Sequence, residues 1–132
     1  MSDREIVIAK LSDFESANGR FAEVLAMQPS DLQRDAAIKR FEFTFELSWK
    51  TLKAAMDHEG VGFFKSPREV LRQAHIVGYI TDAVIWEKML EARNLTSHAY
   101  DEELAHLVYN SFSAYLQATS ALLANLRKTY KA

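Results

Sequence analysis

An arginine and a histidine five positions apart, with a tyrosine close behind, offer the clearest chemistry in this sequence: Arg93-Asn94-Leu95-Thr96-Ser97-His98-Ala99-Tyr100. A guanidinium can hold two phosphate oxygens in its rigid fork and stabilise charge that grows on them in a transition state. An imidazole can remove the proton of an RNA 2′-hydroxyl or protonate the leaving oxygen. The pair therefore suits phosphodiester chemistry without a metal. On one continuous helix the spacing turns the two side chains about 140° apart, so they meet only if the helix bends or ends between them, or if a second subunit supplies one of them. The polar, turn-tolerant run Asn94 to Ser97 permits such an end, and helix ends are where active groups are often presented. Spacing alone supports a plainer alternative equally well: an arginine paired with an acid, and a histidine near a helix start.

Counting sharpens the signal. Eight Arg and four His in 132 positions give a chance Arg-x4-His match about one time in four, and demanding a Tyr two places after the His lowers this to roughly one in a hundred. The looser spacing from Arg68 to His75 is a decoy within a short helix. His58, His75 and His106 fit structural or solvent-facing roles better than catalytic ones. No His pair has the i, i+4 spacing of a helical ligand set, so no metal and no cofactor is expected. Glu42 and Glu46, one helical turn apart, could act as paired carboxylates or line a cleft with Asn94 and Ser97. Lys50, four residues after Glu46, makes a solvated ion pair the simpler reading. Trp49 and Trp86 suit a core or a subunit contact better than base stacking.

These residues need elements to hold them. A chain of 132 residues, 48% hydrophobic and 26% charged, has the size and composition of one globular domain, here residues 1–132. A net charge of −2 removes the argument for nucleic-acid binding by a broadly basic domain, though not for a local basic patch. Without cysteine there are no disulfides, thiolate metal sites or cysteine nucleophiles. The charged start Met1-Ser2-Asp3-Arg4-Glu5 shows no leader segment, and no window approaches the roughly 20 apolar residues of a membrane span. A cytoplasmic protein without a membrane partner is expected.

Four glycines and two prolines leave room for long helices. Val7, Leu11, Phe14, Phe21 and Leu25 form a helical stripe with Asn18 in register. Asn18 reads as a polar residue near the helix edge, or as a buried polar group that fixes a partner's register. Pro29-Ser30-Asp31 closes this segment and caps a second helix from about Leu32 to His58. Within it, Phe41-Glu42-Phe43-Thr44-Phe45-Glu46-Leu47 alternates like a strand. The flanks carry no turn residues, and Ile38, Phe41, Phe45, Leu52 and Met56 continue a helical stripe. Phe43 and Leu47 then fall on the far face, which suits a second subunit. Ser66-Pro67-Arg68-Glu69 starts a short third helix that ends at Gly78. Thr81-Asp82 opens a fourth. Asp101-Glu102-Glu103 opens the last, whose stripe runs Leu104, Val108, Phe112, Tyr115, Thr119, Leu122 and Leu126. The expected fold is all-α, an antiparallel four-helix bundle with one additional short helix.

The segment from Arg93 to Tyr100 resembles the Rx4HxY motif of HEPN toxins in HEPN–MNT toxin–antitoxin pairs, including the Asn after the Arg. Arg40-Phe41-Glu42-Phe43-Thr44-Phe45-Glu46-Leu47-Ser48-Trp49-Lys50 resembles the second-helix signature of the nucleotidyltransferase substrate-binding subfamily of that group. With the Ser66-Pro67-Arg68 start and the helix order, the similarity covers nearly the whole chain. The resemblance implies a symmetric homodimer with a composite cleft near Arg93 and His98, metal-independent ribonuclease activity, and an RNA substrate, tRNA among the candidates. It also implies an MNT-type nucleotidyltransferase antitoxin encoded next door, which silences the toxin by adenylylating the motif tyrosine, here Tyr100. The subfamily's label implies a different role, a non-catalytic subunit that presents substrate to that nucleotidyltransferase.

Overall fold

Serines and aspartates open the helices, as the capping pattern requires. The structure, a computed structural model, describes residues 2–131. Among these it forms α1 (Asp3–Leu25), α2 (Asp31–His58), α3 (Pro67–Val77), α4 (Ala83–Leu95), a 3₁₀ turn (Thr96–His98), α5 (Glu102–Tyr109) and α6 (Phe112–Thr129), with no strand. Ser2, Ser30 and Ser66 accept hydrogen bonds from the backbone N–H of Glu5, Gln33 and Glu69 at 3.2, 3.0 and 3.2 Å. Asp82 accepts from Ile85 N at 3.1 Å and Asp101 from Glu103 N at 3.0 Å. Each cap satisfies an N–H that the helix itself cannot. Gly78 closes α3 with φ +93°, a conformation glycine adopts without steric cost.

The all-α class is as expected. The long helices α1, α2, α4 and α6 form the body of the bundle, and α3 and α5 pack on its flanks. One apolar cluster draws on all six α-helices. Its centre is aromatic: Phe41 of α2 stacks on Phe112 of α6 with centroids 5.0 Å apart, and Phe21 of α1 meets Phe112 edge-on at 5.4 Å. The segment that alternates like a strand is helical, with Phe41 and Phe45 in the core and Phe43 half exposed. The helical period wins because it continues on both sides of the alternating residues.

The seam between α1 and α2 is lined by small hydroxyl side chains. Thr44, Ser48 and Thr51 are all fully buried and follow the four-and-three spacing of one helix face. Their hydroxyls donate to carbonyls of their own helix: Thr44 to Arg40 O at 2.8 Å, Ser48 to Phe45 O at 2.7 Å, Thr51 to Leu47 O at 2.6 Å. Such bonds satisfy the hydroxyls within α2. Two of them also reach carbonyls of α1 across the seam, Thr44 to Ala17 O at 3.2 Å and Thr51 to Lys10 O at 3.3 Å, so the two helices lie close.

Two expectations need correction. The last helix is not continuous. It divides at Asn110-Ser111 into α5 and α6. Ser111 N donates to Val108 O at 3.2 Å, a tightened 3₁₀-type closure in place of the i−4 bond. Asn and Ser favour such local turns, and α5 is drawn towards α2 by two side-chain contacts: Arg34 with Glu102 at 2.8 Å, and Tyr109 OH donating to Gln33 Oε1 at 3.1 Å. Val108, Phe112, Tyr115, Thr119, Leu122 and Leu126 remain buried across the break, so the stripe alone could not reveal it. Asn18 is not at a helix edge. It is buried, its Oδ1 accepts from Thr119 Oγ1 at 2.6 Å, and its Nδ2 donates to Ser120 Oγ at 3.0 Å. The polar group fixes register, between α1 and α6 of this same chain.

Candidate active site around Arg93 and His98

The motif straddles a helix end that its own hydroxyls make. Thr96 Oγ1 donates to Arg93 O at 2.7 Å and Ser97 Oγ to Asn94 O at 3.2 Å. These carbonyls lie in the last turn of α4, where partners for the next turn are running out. The hydroxyls occupy them, the backbone tightens into the 3₁₀ turn, and α4 stops between Arg93 and His98. The helix end required by the five-residue spacing is therefore present.

Within the chain the motif forms two separate groups. Arg93, half-buried, forms an ion pair between its Nη2 and Glu46 Oε1 of α2. Its Nη1 faces Asn94 Oδ1 at 3.4 Å. Glu46 is held on its other oxygen by Trp49 Nε1, which donates at 3.2 Å, with Lys50 Nζ farther off at 3.9 Å. The solvated Glu46–Lys50 pair expected from spacing is thus the weaker of two, and Arg93 is the nearer cation. Glu46 also ties α4 to α2, which fixes the direction in which the guanidinium points. Glu42 is half-buried and has no hydrogen bond or ion pair among the described residues. The second group is His98 with Tyr100, both exposed. His98 Nδ1 lies 3.4 Å from the Tyr100 hydroxyl, and the rings meet edge-on with centroids 6.0 Å apart. The imidazole tautomer decides which of the two donates. No hydrogen bond among the described residues joins Arg93 to His98.

The arrangement offers a guanidinium steadied from behind by a carboxylate, an imidazole open to solvent, and a phenol 83% exposed beside that imidazole. A bound phosphate has to share or displace Glu46 at Arg93. A proton can move through His98 without breaking any core contact. Asn94 and Ser97 are exposed on the same helix end. Trp86 is buried and Trp49 half-buried, so the indoles serve packing and the Glu46 bond.

A third polar group escaped the sequence reading. Arg34 is 5% exposed and holds Glu102 with both terminal nitrogens, at 2.8 and 3.2 Å, with His106 Nε2 3.3 Å away. The bond to Arg34 holds the Glu102 carboxyl below its ordinary value. This clamp secures the start of α5, two residues after Tyr100, and so limits where the phenol can travel. One signal was available: Arg34 lies four residues before Ile38 on the apolar stripe of α2, where a solvent-facing arginine does not belong.

Comparison with known proteins gives this geometry a family. Residues 9–128 match the family model described as nucleotidyltransferase substrate binding protein like. A probable ribonuclease HepT of Haemophilus influenzae is 36% identical over 113 residues, covering 77% of this chain and 75% of its own. A Thermus thermophilus protein of known structure is similar at TM-score 0.82 and 36% identity, over 86% of this chain and 98% of its own. The Shewanella oneidensis HEPN toxin, solved in tri-AMPylated form in complex with an MNT antitoxin, shares the fold at TM-score 0.76 and 17% identity, over 97% of this chain and 99% of its own. The family likeness therefore extends over nearly the full length: the chain belongs to the nucleotidyltransferase substrate-binding protein family of HEPN type, and is related to HepT.

Proposed function

We propose that this protein is a HEPN toxin, a metal-independent endoribonuclease held in check by a separately encoded MNT-type nucleotidyltransferase. The observation that carries the reading is the break of α4 between Arg93 and His98, which leaves His98 and Tyr100 exposed just past the helix end that holds Arg93. In this reading Arg93 grips the scissile phosphate and stabilises the charge that grows there. His98 takes the 2′-hydroxyl proton or protonates the departing oxygen. Tyr100 is the acceptor of the antitoxin's adenylyl group. Tyr100 is 83% exposed, and the Shewanella toxin of this fold is known in AMPylated form. An adenylyl phosphate on Tyr100 would compete for Arg93 and repel an RNA backbone. The protein acts as a homodimer. Phe43, 51% exposed, and the half-buried Leu47 provide an apolar face for the second copy, which could bring its own Arg93 or His98 to the cleft.

Expression without the partner should slow growth, and Arg93→Ala or His98→Ala should each relieve this with unchanged helical circular dichroism. RNA cleavage should survive excess chelator. Equal cleavage by wild type and His98→Ala would move the protein to the second reading, a non-catalytic subunit that presents substrate to the nucleotidyltransferase. That reading draws on the Arg93–Glu46 ion pair, which already occupies the guanidinium, and on the family's description.

A further inference from the structure

The groove between α3 and α4 lies outside the motif but runs towards it. Arg68, Arg72 and His75 occupy positions i, i+4 and i+7 of α3, hence one face. All three are exposed and border a cavity of about 200 Å³ floored by Leu71, Ile80 and Leu90. Among the described residues Arg68 reaches Glu87 alone, at 3.9 Å. Arg72 and His75 have no hydrogen bond or ion pair among the described residues. Arg68 and Arg72 line the groove against one carboxylate, Glu87, although the chain as a whole carries −2. Ile76, 68% exposed, stands at the rim as an apolar side chain without a covering element.

The opposite wall connects the groove to the motif. Ala83, Glu87 and Leu90 of α4 face it, and steps of four, three and four carry the same stripe on to Asn94. Asn94 lies about 6 Å beyond Leu90 along the axis, and its Oδ1 is 3.4 Å from Arg93 Nη1. A strand with one phosphate at Arg93 can therefore continue along α4 into the groove.

We propose that this groove holds the single-stranded RNA that flanks the phosphate at Arg93, with Arg68 and Arg72 against its backbone and a base over the apolar floor. The inference rests on the ribonuclease reading. Alternating cationic and apolar surface matches alternating phosphate and base, and continuity with Arg93 and Asn94 favours a nucleic acid over an acidic peptide.

The test uses the full chain carrying His98→Ala, so that RNA stays intact, and a fluorescein-labelled unstructured single-stranded RNA. Arg68→Gln with Arg72→Gln is compared with Lys10→Gln with Lys53→Gln, a control of equal charge at a cavity that shares no lining residue with this groove. Each phosphate contact on a single strand contributes about 0.7 to the slope of log affinity against log salt. The groove variant should therefore bind more weakly and lose about 1.4 from that slope, with the control unchanged. On the active background its KM for long RNA should rise several-fold at constant kcat, while a dinucleotide substrate is cleaved as by wild type. An unchanged slope, an equal loss in the control, or no RNA binding at all overturns the proposal. So does a defect confined to binding the nucleotidyltransferase, which would assign the groove to a protein partner. Equal cleavage by wild type and His98→Ala strikes the underlying ribonuclease reading instead, whatever the groove variant does to RNA binding.

Discussion

Glu46→Gln isolates what the carboxylate behind Arg93 does. The substitution keeps shape and the ability to accept from Trp49 Nε1, and removes only the charge facing the guanidinium. Both partners are about one-third exposed, 34% for Arg93 and 29% for Glu46, so the ion pair is screened. Such a pair contributes about 1 kcal/mol, well below the value of a buried one. If phosphate competes with Glu46 for the same nitrogens, removing the competitor returns up to that amount to substrate binding, about five-fold in KM. Initial-rate measurements across RNA concentration should show KM falling two- to five-fold with kcat within two-fold, and thermal unfolding should shift by only a few degrees. A ten-fold rise in KM together with a fall in kcat would refute the competition argument. It would mean that Arg93 cannot reach the cleft unless Glu46 holds it there.

Tyr100→Phe should fold, remain toxic and escape its partner. Intact-mass measurement with partner and ATP should show adenylyl mass on wild type alone, and mass persisting on the variant would place the acceptor elsewhere. Thr119→Val leaves Asn18 Oδ1 buried without its 2.6 Å donor, and should cost about 1–3 kcal/mol in urea unfolding; an unchanged midpoint would show that water replaces the threonine. Because Arg34 lowers the Glu102 carboxyl, that carboxylate's contribution to stability is complete above its ordinary value of 4.5 and is lost as pH falls through the lowered one. Glu102→Gln should flatten that acid limb; an identical limb would assign acid sensitivity to other carboxylates.

Local signals were legible where chemistry is local. Ser30, Ser66, Asp82 and Asp101 cap the helices that their side chains announce, since an N-cap depends on residues at most three positions away. The helical phase of Phe41 and Phe45 was legible because neighbouring turns share it. The division at Asn110-Ser111 was not, because a 3₁₀ closure preserves the three-and-four spacing while changing the axis, and what redirects α5 lies far off on α2 at Gln33 and Arg34. In the candidate site, the motif revealed Arg93, His98 and Tyr100 together with the need for a helix end. It could not reveal that Glu46 faces Arg93, since the four-residue neighbour Lys50 offered a partner on the same helix. Long-range pairing of charges is decided by helix packing, which no single segment encodes.

The hydroxyl seam between α1 and α2 bears on which substitutions a lineage can accept. Thr44, Ser48 and Thr51 look like surface residues by composition, yet each is buried where two backbones approach closely. Volume is therefore the first constraint at these sites, with the reach of Thr44 and Thr51 to Ala17 O and Lys10 O of α1 a second, weaker one. Exchanges among Ser, Ala, Thr and Val should persist across relatives and in saturation mutagenesis, whereas Leu, with one more methylene group, would wedge α1 away from α2. Drift along this seam should be confined to small side chains, while neighbouring exposed positions of α2 vary freely in size and charge.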